Sequence, residues 1–191
     1  MPQATLSHIV EQHLEEAAFL WEQRRRAVDA PHYKVFELSR LDSRVEAHLD
    51  GLRVAGEEGW ALCEQALAIG GAGELFVASV LALESKAPEK LARVLHVAEA
   101  SPEARNGLIS ALGWTEPANL SGTVKRWLDS ADRFQQFVGL SACGVHRADP
   151  GNKLDDWVRD ASAPADLRGR ALRMAGQLKR RELAAQIREA F

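Results

Sequence analysis

The chain has 191 residues, 46% of them apolar and 27% charged, which suffices for one substantial core or a row of repeats sharing one and excludes global disorder. A formal net charge of −3 argues against a dedicated nucleic-acid binder, whose domain is normally strongly basic. Two cysteines, Cys63 and Cys143, make neither a disulfide framework nor a metal-ligand spacing, so no metal and no cofactor is expected.

The N-terminal MPQATLSHIVEQHLEE lacks the basic and apolar regions of a signal peptide. The first helix is expected over residues 6–28, with Val10, Leu14, Ala17 and Trp21 on one face and Thr5 or Ser7 as cap. Its last turn carries Arg24, Arg25 and Arg26, which suits the helix macrodipole. Pro31 breaks it. A second helix begins near Val35, with Leu38, Leu41, Val45, His48, Leu49 and Leu52 as its stripe. Gly51, Gly56 and Gly59 loosen the next junction, and a third helix over 58–69 contributes Trp60, Cys63 and Leu67.

Gly70-Gly71-Ala72-Gly73 reads as a turn, and ELFVASVLALES after it is apolar on nearly every side, so it should be an inner helix. Its apolar run, Leu75 to Leu83, is too short to span a bilayer. Without a signal or a span the protein is expected in the cytoplasm, with no membrane contact. Pro88 opens the next helix at its first position, and Leu91, Val94, Leu95 and Ala98 form its buried face.

From Ala104 onward the chain says the same thing three times. ARNGLISALGW, RFQQFVGLSACGV and DLRGRALRMAGQL each end in a small-residue pattern, at Gly113, Gly144 and Gly176, an interval of about 31 residues and the length of a helical hairpin. Each is followed by a more amphipathic helix: LSGTVKRWLDSAD, NKLDDWVRDASA and RELAAQIREAF, with Trp127 and Trp157 at matching places. Ser101-Pro102-Glu103, Asp132, Asn152 and Ser162-Ala163-Pro164 punctuate the helix starts. Ala111, Gly113, Ala142, Gly144, Ala175 and Gly176 should let neighbouring hairpins approach closely, while Leu108, Leu112, Leu140 and Leu172 fill the space between them. No stretch alternates with strand period. The fold class is therefore all-α, an α-solenoid of about ten or eleven helices joined by short loops, read as one domain over 1–191 with atypical helices over 1–70 and stacked hairpins over 71–191.

The residues offer no catalytic constellation. His8, His13, His32, His48, His96 and His146 are dispersed without a metal-ligand spacing. His48 falls on an apolar stripe as a core-edge residue, and His13 with Glu16 reads as a solvated face. Glu15 and Glu16 point about 100° apart on a helix and form no dyad. Ser110 and Ser141 recur at equivalent positions, which argues for packing, and no nucleophile elbow accompanies them. The glycine-rich 70–73 turn lacks the lysine of a phosphate loop. Cys63 reads as an inert buried thiol, and Trp127 and Trp157 as core.

The hairpins resemble HEAT-like repeats. The phrases HLEEAAFLWEQRRRAV, LSRLDSRVEAHLDGL, GWALCEQALA, VLALES, GLISALGW and GLSACGVHRADPG together resemble an uncharacterised bacterial HEAT-like family found near type VI secretion genes, over essentially the whole chain. Members of that family continue with further repeats. The resemblance implies a non-enzymatic binder of a protein partner: an immunity protein that neutralises a cognate toxic effector, such as a nuclease, by stoichiometric binding, or a scaffold or loading adaptor of the secretion machinery. Second helices of such repeats line the concave surface, which makes Lys125, Arg126 and Asp129 on one, and Asp155, Asp156 and Arg159 on the next, the expected partner-binding ridge. A third reading takes the basic RGRALRMAGQLKRREL as the groove of a HEAT-like DNA-binding, glycosylase-type protein, against which the acidity of the whole chain counts. Leu183, Ile187 and Phe191 form a terminal apolar stripe that should support self-association into a homodimer.

Overall fold

A computed structural model describes residues 4–68 and 70–189, with side chains from Ser7 onward, and every regular element among them is helical. In chain order the helices are α1 (Ala4–Ala27), α2 (Val35–Ala55), α3 (Glu57–Ala66), α4 (Ala72–Ser85), α5 (Pro88–Ala100), α6 (Arg105–Trp114), α7 (Pro117–Leu120), α8 (Thr123–Asp129), α9 (Arg133–Val145), α10 (Lys153–Arg159), α11 (Ala165–Gln177) and, after a 3-10 turn at Arg181–Leu183, α12 (Ala184–Glu189). The described residues thus hold twelve α-helices. The additional one is α7, because Gly122 adopts φ +80 and separates it from α8, a conformation that costs glycine least. The chain divides into two compact units, Met1–Trp114 and Thr115–Phe191. By residue count the first carries 11 basic and 17 acidic side chains, net −6, and the second 13 and 10, net +3.

The first unit is built around α4. Leu75, Phe76, Val77, Ala78, Val80, Ala82 and Leu83 are all buried, each large side chain contributing about 1.5–3 kcal/mol on burial, and α1, α3, α5 and α6 pack around them. Two glycines permit this. A Cβ at Gly73 would meet the Ala18 carbonyl oxygen at 2.7 Å, and one at Gly107 would meet the Ala72 carbonyl oxygen at 2.1 Å and the Phe76 nitrogen at 2.8 Å. Gly73 therefore belongs to a helix contact, not to the expected turn. Ser7 likewise lies inside α1, where its hydroxyl donates to Glu58 instead of capping. Trp21 stacks on Phe76 at 5.1 Å, and Trp114 meets the same ring edge-on at 5.4 Å. The Trp114 indole N–H donates to Glu46 at 2.6 Å, so the aromatic column ends on a carboxylate. Glu46 also accepts from Arg53, whose guanidinium reaches Glu84 through two bonds of 2.8 Å.

The second unit is organised by α9, which packs against α8 and α11, while α10 packs against α11. Asp132 caps α9, accepting from the Phe134 and Gln135 N–H groups. Asn152 precedes α10 without a side-chain capping bond. Trp127 and Trp157 are buried as expected, and the Trp157 indole N–H donates to Gln136 at 3.2 Å. Ala142 and Ala175 are buried here, as Ala111 is in the first unit, but the glycines beside them do not mediate close approach. Gly113 and Gly176 are exposed, a Cβ at Gly176 would meet nothing within 4 Å, and one at Gly144 would meet only Arg170 Nη1 at 4.0 Å.

The similarity of α9 and α11 continues into their ends. The Ala148 N–H returns to Cys143 and the Arg180 N–H to Ala175, with Arg147 and Lys179 at φ 53 and 55. Both ends are Schellman caps, and a cation occupies each left-handed position usually given to glycine. Leu183 of the terminal stripe is buried and Ile187 half-buried, while Phe191 lies outside the described residues.

Candidate protein-binding ridge

Six charged side chains were expected to form the ridge, and the second unit carries all of them on α8 and α10. Lys125, Arg126 and Asp129 are exposed on α8, opposite buried Trp127; Asp156 and Arg159 are exposed and Asp155 half-buried on α10. The helical period explains this, since Trp127 and Trp157 turn inward and their charged neighbours outward.

Asp129 is the centre of the group. It accepts from Lys125 one turn earlier at 2.6 Å and from Lys153 of α10 at 2.6 Å. These two bonds, Lys125 first, hold its carboxyl down at about 2. Lys153 also donates to the Leu128 carbonyl at 2.9 Å, so one side chain ties the end of α8 to the start of α10. The sequence reading missed Lys153, and its place in the first turn of the next helix gave no signal of this contact. Arg159 pairs with Asp155 within α10 at 3.6 Å, and Arg126 donates to Thr123 at 3.2 Å. The structure thus joins Lys125 and Asp129 through Lys153 to α10, leaves Arg159–Asp155 as a local pair and leaves Asp156 open to solvent. Nothing in this arrangement supplies a nucleophile or a proton relay; it presents fixed charges.

A cavity of about 260 Å³ in the second unit is lined by Pro117, Leu120, Val124, Cys143 and His146. Burial pushes the Cys143 thiol up to about 11, with Asp149 adding to it, so the group is a neutral thiol at pH 7 and not a nucleophile. Cys63 is fully buried and pushed up to about 12. His13 does not merely face water with Glu16: its Nδ1 lies 3.1 Å from Nδ1 of His48, so α1 and α2 share an imidazole pair. Burial first, and His13 second, lower the His48 pKa. Among the described residues no three His, Cys, Asp or Glu side chains gather into a set that could hold a metal ion, and no helix is long and apolar enough to cross a membrane. No protein-family model, curated protein or solved structure matches the chain in comparison searches.

Proposed function

We propose that the protein is a non-enzymatic binder of a protein partner, acting in the cytoplasm as an immunity protein that neutralises a type VI-linked toxic effector by stoichiometric coverage. The family resemblance supplies the biological setting. The observation that carries the binding role is the Lys125–Asp129–Lys153 bridge: charges fixed before a partner arrives lose less side-chain freedom on binding and choose partners by electrostatic match.

The test is co-expression with the toxic domain encoded beside this gene, followed by survival and co-purification. Protection with a stable complex is the expected result, and equal killing with and without the protein would end the immunity reading. Normal survival of the producer combined with failed delivery to neighbours, once the gene is removed, would select the adaptor reading. Arg126→Glu together with Arg159→Glu should weaken the complex at least about tenfold while the helical signal stays intact, as expected when rim charges meet like charge. An unchanged affinity would remove the ridge from the interface.

A further inference from the structure

Five of the thirteen cations of the second unit pair with a carboxylate among the described residues. Arg133 pairs with Asp160 at 3.0 Å, Arg180 with Asp149 at 2.8 Å, Arg159 with Asp155 at 3.6 Å, and Lys125 and Lys153 both with Asp129. Arg147, Arg170 and Arg173 belong to the other eight, with no carboxylate of the described residues within 4.0 Å. Arg147 and Gly144 line one pocket, Arg170 Nη1 reaches the position beside Gly144, and Arg173 follows Arg170 on α11. Arg170 and Arg173 are one turn apart on α11 and repel each other, and burial adds to the cost of the Arg170 charge. Arg147 lines a pocket of about 260 Å³ between the ends of α9 and α11, with Gly144, Met174, Gln177 and Leu178. A half-buried guanidinium with exposed cations for neighbours and no counter-ion is an arrangement that an incoming anion stabilises.

The geometry also fixes how an anion would be held. The Arg170 guanidinium lies over the Phe137 ring, 5.8 Å from its centroid, a stacking that occupies the face of the plane and leaves the donors on its edge. Its Nη1 is 4.0 Å from where a Cβ of residue 144 would stand, so glycine there keeps that edge uncovered at the pocket. This gives Gly144 a role that helix packing does not. Gln177 offers an amide beside the cations, while half-buried Leu178 provides apolar surface above the buried Met174.

We infer that the groove between α9 and α11 binds an acidic segment of a protein partner, its carboxylates on Arg147, Arg170 and Arg173 and an apolar side chain on Leu178. The inference rests on the protein-binding reading above and specifies the chemistry of the partner. Nucleic acid fits less well, because a phosphate backbone needs a continuous run of cations, whereas Asp149 and Glu182 occupy Arg180, two residues past Leu178, and Leu178 would face no apolar group of the backbone.

The experiment is fluorescence anisotropy of the full chain with a fluorescein-labelled Glu-Glu-Glu-Leu-Glu-Glu-Glu peptide, its all-Gln counterpart, a short DNA duplex and inorganic phosphate as competitor. The Glu peptide should bind, the Gln peptide should not, and phosphate should displace the Glu peptide only at concentrations far above those of unlabelled Glu peptide, because it lacks the leucine. Arg170→Gln with Arg173→Gln should weaken binding at least about tenfold, the loss expected for charge-assisted hydrogen bonds. Gly144→Leu, which covers the donor edge and leaves every charge in place, should do the same, with circular dichroism confirming that both variants fold. No binding of the Glu peptide, equal binding of the two peptides, indifference to both variants, displacement by phosphate as readily as by unlabelled Glu peptide, or tighter binding of duplex than of peptide would each overturn the assignment. Peptide binding alongside failed protection from the toxin would retire immunity and keep the groove. Co-purification of a toxin without peptide binding would do the reverse.

Discussion

Glycine separates the parts of this fold that rest on close packing from those that only look as though they do. Gly107 on α6 is the sharpest case, because a Cβ there would come within 2.1 Å of the Ala72 carbonyl oxygen, where ordinary contact begins at 3.4 Å. The difference, 1.3 Å, must be made up by backbone, since the second neighbour is the Phe76 nitrogen at 2.8 Å and neither atom can rotate away. Forcing two packed helices apart costs about 1–3 kcal/mol or somewhat more. Alanine returns about 0.5–1 kcal/mol through its higher helix propensity. Gly107→Ala should therefore destabilise the protein by roughly 1–2 kcal/mol net. Gly169→Ala in α11 is the control: its Cβ would meet nothing within 4 Å, and the same propensity term should stabilise by about 0.5–1 kcal/mol. Urea unfolding followed by far-ultraviolet circular dichroism would give both midpoints. Trp21, Trp60 and Trp114 report on the first unit and Trp127 and Trp157 on the second. Gly107→Ala as stable as the parent, with an unchanged denaturant slope, would refute the view that α4 and α6 meet backbone to backbone.

Four further outcomes follow from the ion pairs, the imidazole pair and the buried thiols. Asp129 should titrate near 2 by carbon-detected NMR; because its folded value is depressed, the bridge stabilises above the unfolded carboxylate range and is lost as pH falls toward 2, and Lys153→Gln should raise the midpoint. His48 should titrate below its ordinary 6.5, so the stability its neutral form contributes is present above 6.5 and is lost as pH falls through the depressed value; His13→Gln should move the midpoint upward, and no movement would separate the two rings energetically. Arg53→Met leaves Glu46 and Glu84 without their shared cation and should cost about 1–3 kcal/mol in urea unfolding, whereas a change near zero would show that water serves the carboxylates equally well. Cys63, fully buried with its thiol near 12, should resist a thiol reagent in the native protein and react promptly in denaturant; rapid native labelling would mean that α3 opens readily.

Periodicity made the secondary structure legible because it is a local property. The stripe of Leu41, Val45 and Leu49, the all-round apolar α4, Pro88 at the start of α5 and the Asp132 cap each follow from residues within a turn or two of one another. The ridge was legible on the same terms: with Trp127 and Trp157 inward, the charges beside them had to face out. Its central bond was not, since Lys153 and Asp129 are joined by the way α10 meets α8, and no spacing along one helix encodes that.

The glycines show the same division more strongly. A repeated Ala-x-Gly or Ala-Gly pattern falls on three helices, α6, α9 and α11, yet Gly113 and Gly176 face solvent, and the tightest approaches to a neighbouring carbonyl fall at Gly59, Gly73 and Gly107. The sequence by itself determined that the chain is helical, where most helices begin and which side of each is apolar, because hydrogen bonding and burial of one helix depend on its own neighbours. Only the tertiary structure decided which backbones touch, that His13 meets His48, and that Arg170 of α11 reaches Gly144 of α9. Those outcomes depend on the angle and register at which separate helices cross, and these are set by the whole packed unit.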